Sequence, residues 1–454
     1  MSGAATVSDE PRPRPRSIRG LIGEAGQLAL AAIVASAAVL LRDIGISRTL
    51  GRSAEADVLL AALMVATTVA QLVPGTFQTS VFAIAIETKL TRGAAAMHGL
   101  LGAISLRFVV LTGLLVLPLL VLGHPIARVI TSVAATDELA VVLAILAGFA
   151  AAQALTDLAK SILGLERHYV AYAAVGGCGN LVLAALIVVR APTTAREAAL
   201  LACAAFAVAL VVAWTVCLSM GLVRFAGAEL PAGARRRIYA QAPASLGAGV
   251  LTIGMSVVDQ IFTLSLGAGS YATLAFAQRW PLVATQLPAL ALGTVLLRSL
   301  AEDAVRLDPV ALRARVRRLA ALGLGLGLAA CVGGLLLGPT IVRATLRGGE
   351  LSAADADAVI SVQNVLFLQA PFYVAGIVYL RVLNALQRNG VGFVIGAGAL
   401  LLNASLDWAL TRQAHLGVHG IALATVLVYV GSGTALAVAG ELVLRGREAP
   451  SPRG

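Results

Sequence analysis

The sequence predicts an all-α integral membrane protein with about twelve transmembrane helices, arranged as two six-helix bundles around a central cavity. Hydrophobic residues make up 59% of the 454-residue chain, only 13% of its residues are charged, and its mean hydropathy is +0.90. A soluble domain is about 25% charged. Apolar stretches of about 20 residues, long enough to cross a bilayer as a helix, recur from end to end. Two partial internal repeats indicate that the helices form two similar bundles.

The predicted spans fill most of the chain between two polar ends. Their approximate limits are 24–44, 57–86, 97–122, 139–159, 169–189, 198–223, 241–266, 271–297, 319–342, 358–380, 391–410 and 418–444. Residues 1–20, rich in proline and arginine, and residues 447–454 are predicted to be tails on the cytoplasmic side.

The internal repeats predict that the chain has two similar halves. A shift of 216 residues aligns Asp43 with Asp259 and Gly51 with Gly267. A shift of 221 residues aligns the similar segments 160–167 and 381–388. The predicted bundles are residues 21–230 and 235–446. Because each half has an even number of helices, both halves have the same topology, and we expect a substrate site where they face each other.

The net charge of +11 is interpreted as a topological signal, not as a nucleic-acid interface. Basic residues concentrate in alternate loops, which places segment 235–237 and both termini in the bacterial cytoplasm and the segments 267–270 and 343–357 outside. The basic loops are also expected to contact anionic membrane lipids. The Gly-rich run 323–327 precedes no phosphate-binding Lys/Ser pair, so it predicts a helix-packing face, not a nucleotide loop. No catalytic arrangement is evident, which favours a transporter over an enzyme.

Ionisable residues inside the predicted spans indicate a polar interior, because such groups cost at least a few kcal/mol at bilayer depth. Asp259 and Arg279 lie on successive spans, either as a buried ion pair that fixes helix packing or as groups that face a cavity. Asn403 and Asp407 are four residues apart, so they share a helix face on which their oxygens could meet a cation. Asp157 is expected to pair with Lys160 across one helical turn.

Two stretches carry a resemblance to a known family. They are the pattern Arg42-Asp43, Arg48, Gly51 and Asp57, and the segment 275–300 that contains Arg279. This pattern resembles the lipid II flippases of the MurJ/MviN type, part of the multidrug, oligosaccharidyl-lipid and polysaccharide exporter superfamily. The resemblance implies a cationic cavity that holds the diphosphate of a polyprenyl-linked saccharide. It assigns Arg42 and Arg279 to that cavity, and we take Asp43 and Asp57 as further substrate-binding candidates.

The resemblance also implies a sodium site in the second half. Asp259, Asn403 and Asp407 match the family's carboxylates and amide, and Thr425 is a candidate for the hydroxyl ligand. Sodium would then be the coupling ion, and no other cofactor is expected. In this interpretation Asp259 serves the ion and does not neutralise Arg279.

Departures from the family pattern leave the substrate open. Ser36, Ala70 and Gln71 stand where the family has arginines, and Pro74-Gly75 replaces an acidic Glu-Gly step. The cavity is therefore expected to be less cationic than in the family. A polyprenyl-diphosphate-linked saccharide, such as lipid II or an exopolysaccharide precursor, is the first expectation. The alternatives are a cation-coupled exporter of a drug-like or lipidic metabolite, and a non-transporting scaffold that recruits cell-envelope biosynthesis proteins.

Overall fold

The computed structural model describes residues 18–130, 136–225, 232–285, 300, 308–345, 351–386 and 388–448. Within these residues the chain consists of α-helices and short connections. The predicted all-α fold class is confirmed.

The described residues of the first half form eight helices. They are α1 (Ile18–Thr49), α2 (Ala54–Ser80), α3 (Phe82–Arg92), α4 (Ala94–Val121), α5 (Gly123–Ile130), α6 (Thr136–Leu165), α7 (Tyr169–Arg190) and α8 (Ala195–Ser219). The α2 helix begins at a serine N-cap, because the Ser53 side chain accepts a hydrogen bond from the Ala56 N–H. Thr194 caps α8 in the same way.

The second half repeats this pattern of long helices. They are α9 (Ala232–Leu264), α10 (270–285, as far as it is described), α11 (Pro309–Thr345), α12 (Ala353–Phe367), α13 (Ala370–Ala385), α14 (Asn389–Trp408) and α15 (Gly417–Glu448). A π-helical turn, Ala409–Gln413, continues α14. Ser352 and Asp355 form a reciprocal capping box at the start of α12.

Each of the twelve predicted spans coincides with a described helix or pair of helices, although α10 is described only to residue 285. By length and composition, eight of the described helices could cross a membrane. The pair α12–α13, bent by 41°, adds a ninth. The predicted multi-pass architecture is thus confirmed, while the starts of several spans were placed a few residues too late.

The internal repeat is visible at the ends of α1 and α9. Gly51 follows α1 with a φ of 59°, and Gly267 follows α9 with a φ of 117°. Both values lie in the region that favours glycine, because a Cβ atom there meets the backbone. The two residues that the 216-residue shift aligns therefore perform the same local task, which supports the predicted relation between the halves.

Packing within each half is centred on one helix. In the first half α6 contacts α2, α4, α7 and α8, and the Phe149 ring meets the Phe206 ring edge-on with centroids 4.5 Å apart. In the second half α15 contacts α11, α12, α13 and α14. Among the described helices, α2 of the first half lies against α9 of the second.

The Gly-rich run of α11 forms a close-packing face, as predicted, at two of its three glycines. A Cβ atom on Gly327 would lie 2.5 Å from the Pro371 Cα and 2.6 Å from the Ala370 carbonyl oxygen, and one on Gly323 would lie 3.3 Å from the Val374 oxygen. Gly325, between them in sequence, faces open space. Only the glycines four residues apart share the buried face, as helical periodicity requires.

Replacing Gly327 by alanine should lower the thermal unfolding midpoint of the purified protein. The new methyl group would collide with backbone atoms that cannot rotate away, at a cost of about 1–3 kcal/mol. Gly325→Ala is the matched control, since it makes the same change in the same helix with no atom within 4 Å. It should leave the midpoint unchanged or raise it, because alanine favours helix. Equal midpoints for the two variants would contradict the packing described here.

Candidate functional site

A cavity of about 300 Å³ lies between the two halves. Helices α1, α2, α6, α7 and α8 of the first half form most of its wall, and α10 of the second half closes it. Its lining residues are Ala35, Ser36, Val39, Leu40, Gln71, Gln153, Thr156, Asp157, Lys160, Val175, Gly176, Gly179, Asn180, Phe206, Arg279, Trp280, Leu282 and Val283. The predicted central cavity is therefore present, and its wall is part polar and part apolar.

One carboxylate holds two arginines at this cavity. Arg42 donates from Nε and Nη2 to Asp43 Oδ1, at 3.0 and 2.8 Å, and from Nη1 to Asn180 Oδ1 at 3.0 Å. Arg279 Nε lies 2.5 Å from Asp43 Oδ2. The Asp43 side chain is 1% exposed, whereas Arg279 is 28% exposed and lines the cavity. An ion pair thus joins the two halves beside the cavity.

This arrangement corrects one interpretation of the sequence. Arg279 pairs with Asp43 and not with Asp259, although Asp259 is the carboxylate on the preceding helix. The predicted repeat explains why Asp43 can take the place expected of Asp259, because the two residues occupy equivalent positions in the two halves. Arg42, Asp43 and Arg279, all predicted for the substrate site, are brought together.

Asp57 lies elsewhere, at the N-terminus of α10. Its carboxylate accepts hydrogen bonds from the Gly269 N–H at 2.5 Å and from the Ala272 N–H at 2.7 Å. These backbone donors have no partner inside their own helix, so a residue of the first half caps a helix of the second. Asp57 does not line the cavity. The structure places it in a contact between the two halves at the end where α1 joins α2, and we interpret this contact as the closure of the cavity.

Arg52 strengthens the same closure. Its Nε donates to the Gly269 carbonyl oxygen at 3.2 Å and its Nη1 to Asp355 Oδ1 at 3.1 Å. Both partners belong to the second half. A cavity closed at one end by polar contacts that can dissociate is suited to opening alternately toward the two sides of a membrane.

The residues predicted to bind sodium converge inside the second half. Asn403 Nδ2 donates to Asp259 Oδ1 at 2.6 Å and to Asp407 Oδ2 at 3.2 Å. Thr425 lies near Asp259, and its hydroxyl donates to the Ile421 carbonyl oxygen at 3.0 Å. The Asp407 side chain is fully buried, and its Oδ1 has no hydrogen-bond partner among the described residues. Two carboxylates this close to each other and shielded from water require a cation or a proton between them.

Oxygen ligands of this kind suit a hard monovalent cation, with backbone carbonyls completing its shell. The four side chains come from α9, α14 and α15, and none of them lines the cavity. A cation there would act on the packing of the second half and not directly on a cavity ligand.

Sequence reasoning missed most of the cavity's polar wall. Lys160 Nζ pairs with Asp157 Oδ1 at 2.5 Å, as predicted, but both residues also line the cavity beside Gln153 and Thr156. The signal was present in the sequence, because these four positions repeat with helical spacing in an otherwise apolar span. Asn180, the partner of Arg42, was also missed.

Helices that could span a membrane in two bundles, with a charged cavity between them, are typical of flippases and exporters. The family model described as the lipid II flippase MurJ matches residues 46–439. The chain therefore belongs to the lipid II flippase MurJ family, and the resemblance found in its sequence is confirmed. It is a multi-pass membrane transporter and not an enzyme. No curated protein sequence matches the chain significantly.

Solved structures of transporters share this fold. The lipid II flippase MurJ in an inward closed conformation is 16% identical, with a TM-score of 0.73 over 91% of this chain and 87% of that chain. An inward-facing multidrug resistance MATE family transporter of the MOP superfamily is 10% identical, with a TM-score of 0.71 over 96% of each chain. A Vibrio cholerae MATE transporter in the bent form is 14% identical, with a TM-score of 0.63 over 95% of this chain and 98% of that chain.

Replacing Asp57 by alanine should open the end of the cavity where α1 joins α2. The change removes two charge-assisted hydrogen bonds between the halves. It is expected to shift the equilibrium between the closed and the open form of this end by about 1–3 kcal/mol toward the open form. In the predicted orientation this end faces outside, so a cysteine placed at Leu40, on the cavity wall, should then react about tenfold faster with an impermeant maleimide added outside the cell.

Glu55→Ala is the matched control for this measurement. Glu55 lies in the same helical turn and accepts a hydrogen bond from the Ala195 N–H at 2.7 Å, but that contact stays within the first half. This variant should label at the parent rate, and a protein without the introduced cysteine sets the background from the native thiols. Unchanged labelling of the Asp57 variant would show that its contact does not hold the cavity closed.

Proposed function

We propose that this protein moves a polyprenyl-diphosphate-linked saccharide across the bacterial cytoplasmic membrane, from the inner to the outer leaflet, by alternating access. The observation that carries the proposal is the contact of Asp43 with both Arg42 and Arg279 beside the cavity. This contact supports the proposal because Arg279 of the second half lines the cavity and Arg42 of the first half lies behind it on the same carboxylate, so that a lipid headgroup could bridge the two guanidinium groups.

Arginine suits this task for two reasons. Its planar group can hold a phosphate through two parallel hydrogen bonds, and it stays charged in surroundings of low polarity. Asp43 forms an ion pair with each arginine. A diphosphate brings more negative charge and more acceptor oxygens than one carboxylate, so it can compete for the same donors and draw the halves together.

The closure at Asp57 and Arg52 supports an inward-open starting state. In the predicted orientation this end of the cavity faces outside, so the headgroup would enter from the cytoplasmic side. Release outside requires the Asp57 contact with α10 to break. Both termini of the chain would lie in the cytoplasm. The enzymes that synthesise the lipid-linked substrate would be linked to this protein through that substrate.

Alanine at Arg42 or at Arg279 should abolish flipping of a fluorescent polyprenyl-diphosphate saccharide in proteoliposomes. Lysine at either position should restore only part of the rate, because it offers a point charge and not a planar fork. Arg107→Ala is the matched control: Arg107 also lies in a span, but its side chain is exposed on the outer face of α4. Its flipping rate should equal that of the parent protein.

Normal flipping by the double alanine variant would remove the diphosphate hypothesis. It would favour export of a lipidic or drug-like metabolite, the second candidate function. One observation speaks for that candidate, namely the apolar wall formed by Val39, Leu40, Leu282 and Val283. The same variant would then be expected to export lipophilic dyes faster than liposomes without the protein do.

We further propose that sodium binds among Asp259, Asn403, Asp407 and Thr425 and drives the cycle. The burial of two adjacent carboxylates without a basic partner among the described residues supports this proposal. A cation can drive transport only if it binds one conformation more tightly than the other, since equal affinities shift no population. The cluster meets this condition if opening moves α9 relative to α14.

Sodium, but not potassium at the same concentration, should raise the thermal unfolding midpoint of the purified protein. The expected stabilisation is about 2.7 kcal/mol at a hundredfold excess over the dissociation constant. Asp407→Asn should lose this response because it removes one charge and keeps the shape. Asp137→Asn, at a side chain that is 92% exposed, should keep it. An identical sodium response in parent and Asp407→Asn would leave a shared proton as the driver.

A further inference from the structure

One face of α6 presents a polar stripe to the cavity. Gln153, Thr156, Asp157 and Lys160 all line it, and their spacing of three, four and seven residues places them on one side of the helix. The remainder of α6 is largely apolar. Four polar residues on one face of a membrane helix are costly unless they meet a partner, water or a ligand.

The stripe carries no net charge. Lys160 Nζ lies 2.5 Å from Asp157 Oδ1 and 5.5 Å from the centre of the Tyr172 ring. The two side chains are 24% and 18% exposed, so the cavity can reach them. This wall therefore offers hydrogen-bond donors and acceptors together, while the cationic character of the cavity comes from the arginines around Asp43.

Part of this hydrogen-bonding capacity is unused. Gln153 Oε1 and Trp280 Nε1 are both buried without a hydrogen-bond partner among the described residues, and both residues line the cavity. An unsatisfied buried polar atom costs about 1–3 kcal/mol. One acceptor on α6 and one donor on α10 therefore retain hydrogen-bonding capacity on residues that line the cavity.

We propose that the α6 stripe is a saccharide subsite, which binds the uncharged, hydroxyl-bearing sugar next to the phosphate. This inference rests on the proposed function and deepens it, because the arginines then hold the phosphate and α6 reads the sugar. Sugar hydroxyls donate and accept at once, which matches a wall of amide, hydroxyl, carboxylate and ammonium groups. The cavity volume of about 300 Å³ is at the lower end for small-molecule sites. The subsite therefore accommodates the proximal sugar and not an extended glycan.

The test compares lipids that differ only in the sugar. Calorimetric titration of the full-length purified protein would use farnesyl diphosphate and the same lipid carrying glucose, galactose or N-acetylglucosamine. The parent protein should bind at least one sugar-bearing lipid about tenfold more tightly than farnesyl diphosphate, the gain expected from one or two net hydrogen bonds. Gln153→Leu should lose most of this gain and keep its affinity for farnesyl diphosphate.

A double variant, Asp157→Leu with Lys160→Met, removes both charges and leaves the net charge of the cavity unchanged. It should also lose the sugar gain alone. Gln363→Leu is the matched control: Gln363 is another buried glutamine whose amide has no partner among the described residues, but it does not line this cavity. It should bind every lipid as the parent does.

Three results would overturn the subsite. Equal affinity of the parent for all four lipids would show that no sugar is read, although diphosphate binding would still support the proposed function. A parallel loss of farnesyl diphosphate affinity in the double variant would make Lys160 a phosphate contact. Failure of the parent to bind any of the lipids would overturn both the subsite and the proposed function.

Discussion

Asp43 lies between two guanidinium groups, and the rest of the cavity depends on this arrangement. Arg42 and Arg279 would repel each other across the interface of the two halves if no carboxylate stood between them. A buried carboxylate without a cationic partner would in turn be unstable beside an apolar wall, because it would lose its hydration and gain nothing in return. The three groups therefore stabilise one another and leave one positive charge in excess. In the proposed function, that excess favours the binding of an anionic headgroup.

The connection between α9 and α10 joins the other polar features of the molecule. Asp259, in the buried cluster of the second half, lies near the end of α9, and Arg279 lies on α10 beside the cavity. Between them runs the turn at Gly267 and Gly269, where Asp57 of the first half is bound. A short stretch of chain thus links the candidate ion site, the closure and the candidate phosphate site. A cation that moves the end of α9 would act on all three.

The sequence predicted the helices well, because bilayer thickness and helical periodicity leave few alternatives to a long apolar stretch. It also predicted the cluster around Asp407, since two polar residues four positions apart must share a helix face. It could not decide which of two equivalent carboxylates, Asp43 or Asp259, meets Arg279. Helical spacing places a side chain on a face of its own helix, but only the packing of the two halves determines what that face contacts.

Asp57 shows a second limit of sequence reasoning, and it has a consequence for how this contact is inherited. Its hydrogen-bond donors are the main-chain N–H groups of Gly269 and Ala272, which every residue except proline provides. Gly269 is fixed for a separate reason, because a Cβ atom there would meet Arg52. The side chain at position 272 can therefore vary among homologues without weakening the hydrogen bond from its N–H to Asp57. Position 57 and position 272 should show no covariation among homologues, so contact prediction from coupled substitutions would overlook the contact that closes the cavity.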